Sequence, residues 1–84
     1  MDILVFPNPL STSTTISFSL SQSEKVSLRI YDVTGRLVTT LSDGEMNEGA
    51  HQLVWNTEDV NAGIYFLRME AGEYVQTEKI SVIK

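Results

Sequence analysis

Apolar and polar residues alternate with a period of two along residues 16–20 and 26–30. This period is that of a β-strand with one buried and one solvated face, because successive strand side chains point to opposite faces. A helix would need apolar residues three and four positions apart over about a dozen residues. No window supplies that spacing without crossing a glycine, a proline or a Ser/Thr cluster. The sequence therefore predicts an all-β protein with no helix longer than one turn.

Turn-forming residues interrupt the chain at short, regular intervals. These breaks are at residues 7–9, 21–24, 34–35, 43–44 with 47–49, 56–63 and 71–72. They leave seven predicted strands, at about 3–6, 14–20, 25–33, 36–42, 50–56, 64–70 and 74–83. Several short strands separated by turn signals are typical of an antiparallel sandwich or barrel. We therefore expect a seven-stranded antiparallel β-sandwich of immunoglobulin or fibronectin type.

Three segments allow more specific predictions. Residues 71–72 lie between two strand-like segments, so we expect a hairpin in which Gly72 has a positive φ. Residues 57–63 resemble a capped single helical turn ended by glycine, which would cross from one sheet to the other. In the last strand Val75 is out of phase with the later apolar residues, so we expect a bulge or slipped phase within residues 75–80.

The same alternation assigns the core. His51, Leu53 and Trp55 share one face of the fifth strand, and the sixth strand alternates in the same way. The residues expected in the core are Leu53, Trp55, Tyr65, Leu67 and Met69. If exposed, the aromatic residues would instead offer a stacking platform for sugar rings. That platform would consist of Trp55, Tyr31, Tyr65 and Tyr74.

Length and composition limit the function classes. A chain of 84 residues is expected to form one small domain, spanning residues 1–84. It has no cysteine, which excludes disulfides, thiolate metal sites and cysteine nucleophiles. Six Lys and Arg against 11 Asp and Glu give a net charge of −5, so a basic footprint for nucleic acid or an anionic membrane is missing. No apolar run approaches bilayer length, and Asp2 and the early prolines do not fit a signal peptide. We expect a soluble domain.

No pattern in the sequence predicts catalysis or metal binding. His51 is the only imidazole, it lies within a strand, and no Gly-x-Ser-x-Gly motif accompanies it. Asp43, Glu45 and Asn47 stand at alternate positions, like the first three ligands of a calcium loop. Val54, however, stands where the bidentate glutamate belongs, so we favour a solvated hairpin turn. We expect no enzyme, no metal and no cofactor.

The run of Ser and Thr between residues 11 and 23 has two readings. By composition it resembles a glycosylation tract. Its alternation with Ile16, Phe18 and Leu20 instead predicts a strand with a hydroxyl-lined outer face, prone to lie at a sheet edge.

Five motifs, read together, resemble one family. They are Phe6-Pro7-Asn8-Pro9-Leu10 with residues 16–20, then residues 26–38, 49–56, 62–68 and 79–84. The chain resembles the type A C-terminal sorting domain of the type IX secretion system, and also the related immunoglobulin-like module of flagellar hook-capping proteins. The resemblance covers nearly the whole chain. Each motif alone is weak, but five in the order and spacing of the family are specific.

The resemblance implies a signal at the C-terminus of a larger exported protein of the Bacteroidetes type. The cargo would reach the periplasm by an ordinary signal peptide and cross the outer membrane through the type IX translocon. A sortase-like peptidase would then remove the domain near Met1 and couple the cargo to a surface lipopolysaccharide, or the cargo would be released. The implied partners are the translocon, the sortase-like components and the upstream cargo, and the implied location is secreted or cell-surface.

The positions that match the motifs of the family are the candidate recognition residues. They are Pro7, Asn8, Pro9, Gly35, Gly63, Tyr65, Lys79, Ile80, Val82 and Lys84. On physical grounds the two prolines would end the first strand sharply, and the two glycines fit turn geometry without any recognition. Residues 79–84 would either close the core or offer an edge to a receptor sheet.

Other function classes remain open at this stage. The competing class is an accessory module of a secreted hydrolase, either a carbohydrate binder or a fibronectin-like spacer. An exposed strand would also allow an edge-strand dimer. An enzyme is the weakest class, because there is no nucleophile–base pair to propose.

Overall fold

The computed structural model describes residues 3–9 and 12–84, so the predictions that involve Met1, Asp2, Leu10 and Ser11 lie outside the described residues. In chain order the strands are β1 (Ile3–Phe6), β2 (Ser13–Leu20), β3 (Glu24–Asp32), β4 (Leu37–Met46), β5 (Gly49–Asn56), β6 (Gly63–Ala71) and β7 (Tyr74–Val82). Every boundary except the end of β4 lies within one residue of its expected place. Within the described ranges, no helix is long and apolar enough to cross a membrane.

The seven strands form two antiparallel sheets. One has the order β1-β2-β5 and the other has the order β4-β3-β6-β7. In a constant-type immunoglobulin domain the fourth strand joins the sheet of the first, second and fifth strands. Here β4 pairs with β3 instead, which gives a fibronectin-like arrangement of three plus four strands. The expected all-β, seven-stranded sandwich is confirmed.

The core is formed by the alternate residues of each strand that face the opposite sheet. The buried apolar residues are Ile16, Phe18, Leu20, Val26, Leu28, Ile30, Trp55, Tyr65, Leu67, Met69, Ala71, Ile80 and Val82. Full burial of one such large side chain contributes about 1.5–3 kcal/mol.

Of the five residues expected in the core, four are confirmed as buried, namely Trp55, Tyr65, Leu67 and Met69. Leu53 is only partly buried and packs against the cluster.

The end of β4 differs from the prediction, because the strand continues to Met46. Asp43 and Gly44, predicted as a turn, lie inside β4 and pair with β3. The pairing with β3 supplies backbone partners at these positions, so the chain reverses only at Asn47. The loop that would have presented a calcium site is therefore absent from this segment, since Asp43 and Glu45 are strand residues.

The irregular pairing lies in β4 and not in the last strand. The β3–β4 register shifts twice, at Leu41 and at Val38. By contrast, β7 pairs with β6 without a shift over its whole length. The bulge or slipped phase predicted within residues 75–80 is therefore wrong. Val75 keeps the phase of the strand and is 51% exposed, so it is an outward apolar residue and not a displaced core residue.

The position of β2 also differs from the prediction. It lies between β1 and β5, so it is not an edge strand. Alternation defines which residues face the core, but it carries no information about the neighbours of a strand within its sheet. The hydroxyl-lined outer face is confirmed: the outward residues are Ser13, Thr15, Ser17 and Ser19.

Two predicted connections have the expected course. Ala71 pairs directly with Tyr74, which makes residues 72–73 a two-residue hairpin loop, and Gly72 has a φ of +60°. Residues 57–62 cross from β5 to β6 in the other sheet. They contain one hydrogen-bonded turn, from Val60 N to Thr57 O at 3.0 Å, and not a helix. The crossing is confirmed, but its helical form is wrong.

The β3–β4 hairpin is organised by Asp32. The backbone N–H of Gly35 donates to Asp32 O at 3.0 Å, and Gly35 has a φ of +86°. The carboxylate Oδ1 of Asp32 accepts hydrogen bonds from Thr34 N, Thr34 Oγ1 and Arg36 N at 2.9, 2.6 and 3.0 Å. The Thr34 hydroxyl, followed by the Arg36 amide, holds the pKa of Asp32 below its usual value.

Gly35→Ala is expected to lower the free energy of unfolding by about 1–2 kcal/mol, because a side chain at positive φ is strained. An added Cβ meets no heavy atom within 4 Å at Gly35 or at Gly44, and only Gly35 has a positive φ. Gly44→Ala is therefore the matched control, and it is expected to leave stability unchanged or slightly higher. Chemical denaturation measures both variants. Equal effects would contradict the assignment of strain to Gly35.

Asp32→Asn is expected to lower stability at neutral pH and to lose that effect in acid. The lowered pKa means that the ionised carboxylate stabilises the folded state above the unfolded value near 3.8. This contribution disappears as the pH falls through the folded pKa. Urea denaturation of both proteins over a pH series measures the difference, with Asp59→Asn as a charge-matched control. A difference between wild type and Asp32→Asn that does not change with pH would refute the role of the charge.

Candidate functional site

The side chain of Asn8 connects the Pro-Asn-Pro turn to the last strand. Its Nδ2 donates to Lys79 O at 3.0 Å, and its Oδ1 accepts from Ser81 N at 3.0 Å. These partners lie 71 and 73 residues away along the chain. One amide thus satisfies one acceptor and one donor of β7, as a neighbouring strand would. Two motifs at opposite ends of the sequence meet at this contact.

A second hydrogen bond fixes the same turn to the other sheet. The Thr14 hydroxyl donates to Pro7 O at 2.8 Å, and Thr14 is only 1% exposed. Asn8 holds the four-stranded sheet, and Pro7 holds β2 in the three-stranded sheet. Through these hydrogen bonds the turn bridges the two sheets at one end of the sandwich. The peptide bonds that precede Pro7 and Pro9 are both cis.

The outer edge of β7 lies beside this turn. β7 is the last strand of its sheet, and β6 pairs with it on the other side. Since Lys79 O and Ser81 N point towards Asn8, the backbone groups of Val75 and Thr77 point to the same outer edge. No strand of residues 3–9 and 12–84 pairs with that edge. The backbone N–H and C=O groups of Val75 and Thr77 are thus available for pairing, on the part of β7 that precedes the contact with Asn8.

The four predicted positions at the end of the chain have different environments. Ile80 and Val82 are 0% and 2% exposed and belong to the core. Lys79 is exposed on the outer side of β7. The Lys84 ammonium donates to three carbonyls of the β5–β6 crossing, those of Thr57, Glu58 and Val60. Among the four, only Lys79 has an exposed side chain that makes none of these contacts, although its backbone carbonyl accepts from Asn8.

Tyr65 and Gly63 stabilise the start of β6. The Tyr65 hydroxyl donates to Asn61 O at 2.7 Å, and the ring lies edge-on to Trp55 with 5.4 Å between centroids. This hydrogen bond resembles the tyrosine corner of immunoglobulin-like domains. Gly63 has a φ of +153° where the crossing enters β6. Both positions support the fold at the crossing.

The structure brings all ten predicted positions to one end of the sandwich. In the four-stranded sheet Asp32 pairs with Tyr65 and Tyr65 pairs with Ile80, so the Gly35 hairpin lies at the end that also contains the start of β6. The Pro-Asn-Pro turn lies there too, through its contact with Lys79. Their surroundings separate the ten residues into exposed, buried and turn-forming groups.

Sequence reasoning missed Thr14 as part of this site. Its alternation with Ile16 and Phe18 places it on the buried face of β2, and a buried hydroxyl requires a hydrogen-bond partner. The position of Thr14 in the alternation could therefore have indicated its role. The sequence could not indicate the contacts of Asn8 and Lys84, because both side chains bind backbone groups whose positions depend on the fold.

The candidates for other chemistry do not assemble into a site. His51 Nε2 lies 2.6 Å from Asn47 O, and its ring stacks on Phe18. Trp55 and Tyr65 are 3% and 8% exposed, so these two rings are not a platform for sugars. Within the part of the chain that the structure describes, no three Asp, Glu or His residues are grouped as metal ligands.

Asn8→Ala is expected to destabilise the protein by about 1–3 kcal/mol, because it removes two hydrogen bonds that close the edge of β7. Amide exchange at Ser81 should accelerate more than amide exchange in β3. Gln22→Ala is the control, since among residues 3–9 and 12–84 the Gln22 side chain bonds only to nearby Glu24. Hydrogen exchange and denaturation together measure this. Unchanged Ser81 exchange in Asn8→Ala would show that the contact does not hold β7.

The chain matches one protein family over almost its entire length. The family model of the secretion system C-terminal sorting domain matches residues 4–84. No curated protein matches the chain. The family match includes the Pro-Asn-Pro turn, all of β2 to β7 and the residues after β7. These domains are C-terminal sorting signals for type IX secretion, and their family is not enzymatic. The chain therefore belongs to the family of secretion system C-terminal sorting domains.

Proposed function

We propose that the type IX machinery recognises this domain in its folded form, through the surface shared by the Pro-Asn-Pro turn and the end of β7. The observation that carries the proposal is the pair of hydrogen bonds from Asn8 to Lys79 O and Ser81 N. Residues so distant in sequence are adjacent only after folding. A receptor that contacts both would bind the folded domain and reject the unfolded chain.

The proposal divides the candidate residues by their exposure. Pro7, Asn8, Pro9 and Lys79 are exposed and are proposed to contact the receptor. Ile80, Val82 and Tyr65 act indirectly, because they hold β6 and β7 in the sheet. Gly35 and Gly63 shape the turns at the same end, and Lys84 fixes the segment after β7 to the β5–β6 crossing.

The proposed mode of recognition is strand addition to the outer edge of β7. An extended segment of the receptor would pair with the outward backbone groups of Val75 and Thr77. Asn8 already occupies the groups at Lys79 and Ser81, so it sets the end of the available edge. Val75 and Lys79 would then lie on the outer face beside the added strand. A second copy of the chain is the competing occupant of this edge, as an edge-strand dimer.

Partners and route follow from the same proposal. The family implies interaction with the type IX machinery, attachment to an upstream cargo, and a secreted or cell-surface destination. We propose that the cargo passes through the periplasm, that the translocon binds the folded domain, and that a sortase-like peptidase cleaves upstream of β1. The domain itself contributes recognition and no catalytic group.

A reporter fused upstream of the domain is expected to leave a type IX-competent cell. Lys79→Thr is expected to reduce export several-fold, because it removes an exposed contact at the edge while threonine maintains the strand. Lys25→Thr is the matched control, since Lys25 is also an exposed strand residue of the same sheet. Fractionation of periplasm, cell surface and medium locates the reporter.

Two results would contradict the proposal. Retention of the wild-type fusion in the periplasm would refute the sorting role for this domain. Normal export of both Lys79→Thr and a folded Asn8→Ala variant would refute the proposed surface.

Size-exclusion chromatography of the purified domain tests for the competing dimer. If Lys79→Thr abolishes a dimer and leaves export unchanged, the edge of β7 serves self-association.

A further inference from the structure

The outer face of the four-stranded sheet carries two neighbouring cross-strand rows of unusual composition. In one row Arg29 of β3 pairs with Arg68 of β6, and in the next row Tyr31 pairs with Phe66. Lys79 of β7 pairs with Phe66 and extends the second row. We call this set the basic face: Arg29, Tyr31, Phe66, Arg68 and Lys79.

The charge of the basic face is opposite to that of the whole chain. The chain has a net charge of −5 and only six Lys and Arg residues, yet three of the six lie in these two rows. The outward acidic residues of the same sheet lie in rows beyond Arg29, towards the other end. They are Asp43, Glu45 and Glu70. The carboxylates thus lie towards one end of the face and the basic face towards the other, and the two groups meet where Arg29 contacts Asp43 and Arg68 contacts Glu70.

The direct pairing of Arg29 with Arg68 has an energetic cost. Like charges directly opposite each other on neighbouring strands destabilise a sheet. Arg29 lies 3.6 Å from Asp43 and Arg68 lies 3.0 Å from Glu70, and these side chains are between 32% and 50% exposed. Each exposed ion pair contributes little. Each guanidinium has five N–H donors, so donors remain for an incoming carboxylate.

A cavity adjoins the same residues. It has a volume of about 400 Å³, and its walls include Tyr31, Phe66, Arg68 and Thr77. Asp32 also lines it, but the Asp32 carboxylate is engaged by Thr34 and the Arg36 amide. The cavity therefore offers aromatic surface beside a guanidinium. This combination fits an apolar side chain that is followed or preceded by a carboxylate.

We propose that the basic face docks an acidic segment of a protein of the secretion machinery. In this arrangement a carboxylate of the segment binds Arg68 and Arg29, and an adjacent apolar side chain covers Tyr31 and Phe66. Charge complementarity directs an acidic segment to this face, because the chain as a whole has a net charge of −5 and repels such a segment elsewhere. The inference rests on the proposed function, since the face continues from Lys79, but it concerns residues outside the Pro-Asn-Pro turn.

The test uses the reporter fusion with Arg68→Gln. Export is expected to fall about tenfold, because a charge pair in an interface is truncated. Lys25→Gln is the matched control, since it causes the same change in net charge at the acidic end of the same face. Arg68→Lys should restore part of the export. Thermal unfolding of purified Arg68→Gln is expected to show no loss of stability relative to Lys25→Gln, because the repulsion with Arg29 is removed.

Each other outcome has a distinct meaning. Export of Arg68→Gln equal to that of Lys25→Gln would overturn the docking face while leaving the proposed sorting role in place. Failure of the wild-type fusion to be exported would overturn the sorting role and the inference that rests on it. Normal export of Arg68→Gln with loss of the reporter from the cell surface would show that the face binds an anionic surface glycan, which would also overturn the protein partner.

Discussion

The two hydrogen bonds from the Asn8 side chain to β7 connect the beginning of the described chain to its last strand. β1 contains only four residues and pairs with β2 alone, while β7 pairs with β6 alone. Each strand is thus an edge of its own sheet. Asn8, with the Thr14 bond to Pro7 O, joins these edges at one end of the sandwich. The site that we propose for recognition depends on this connection.

The fold could be predicted from the sequence largely because short segments of the chain define its strands and turns. Alternation through residues 16–20 and 26–30 defines the buried face, and the glycine of residues 71–72 defines the last hairpin. The failures have a common cause. Asp43 and Gly44 form a turn by local preference, but pairing with β3 overrides it and extends β4. The edge or central position of β2 is likewise decided by its neighbours and not by its own residues.

The recognition role of the ten candidate residues stays a prediction, but the structure shows where each of them lies. The resemblance to sorting domains named ten residues, and the register of β3, β6 and β7 brings them to one end. The sequence did not separate exposed Lys79 from Ile80 and Val82, which face the core. Nor did it show the partners of Asn8 and Lys84, because these are backbone carbonyls and amides. The Arg29–Arg68 pairing similarly requires the register between two strands that are far apart in the chain.

The late position of β7 has a consequence for quality control. β7 supplies Ile80 and Val82 to the core and receives Asn8 on its edge, so the structure at that end is incomplete without it. A polypeptide cut short during synthesis, or clipped by a protease before β7, lacks the surface that Asn8 and Lys79 form together. If recognition uses this surface, as we propose, only a chain synthesised through β7 would present it.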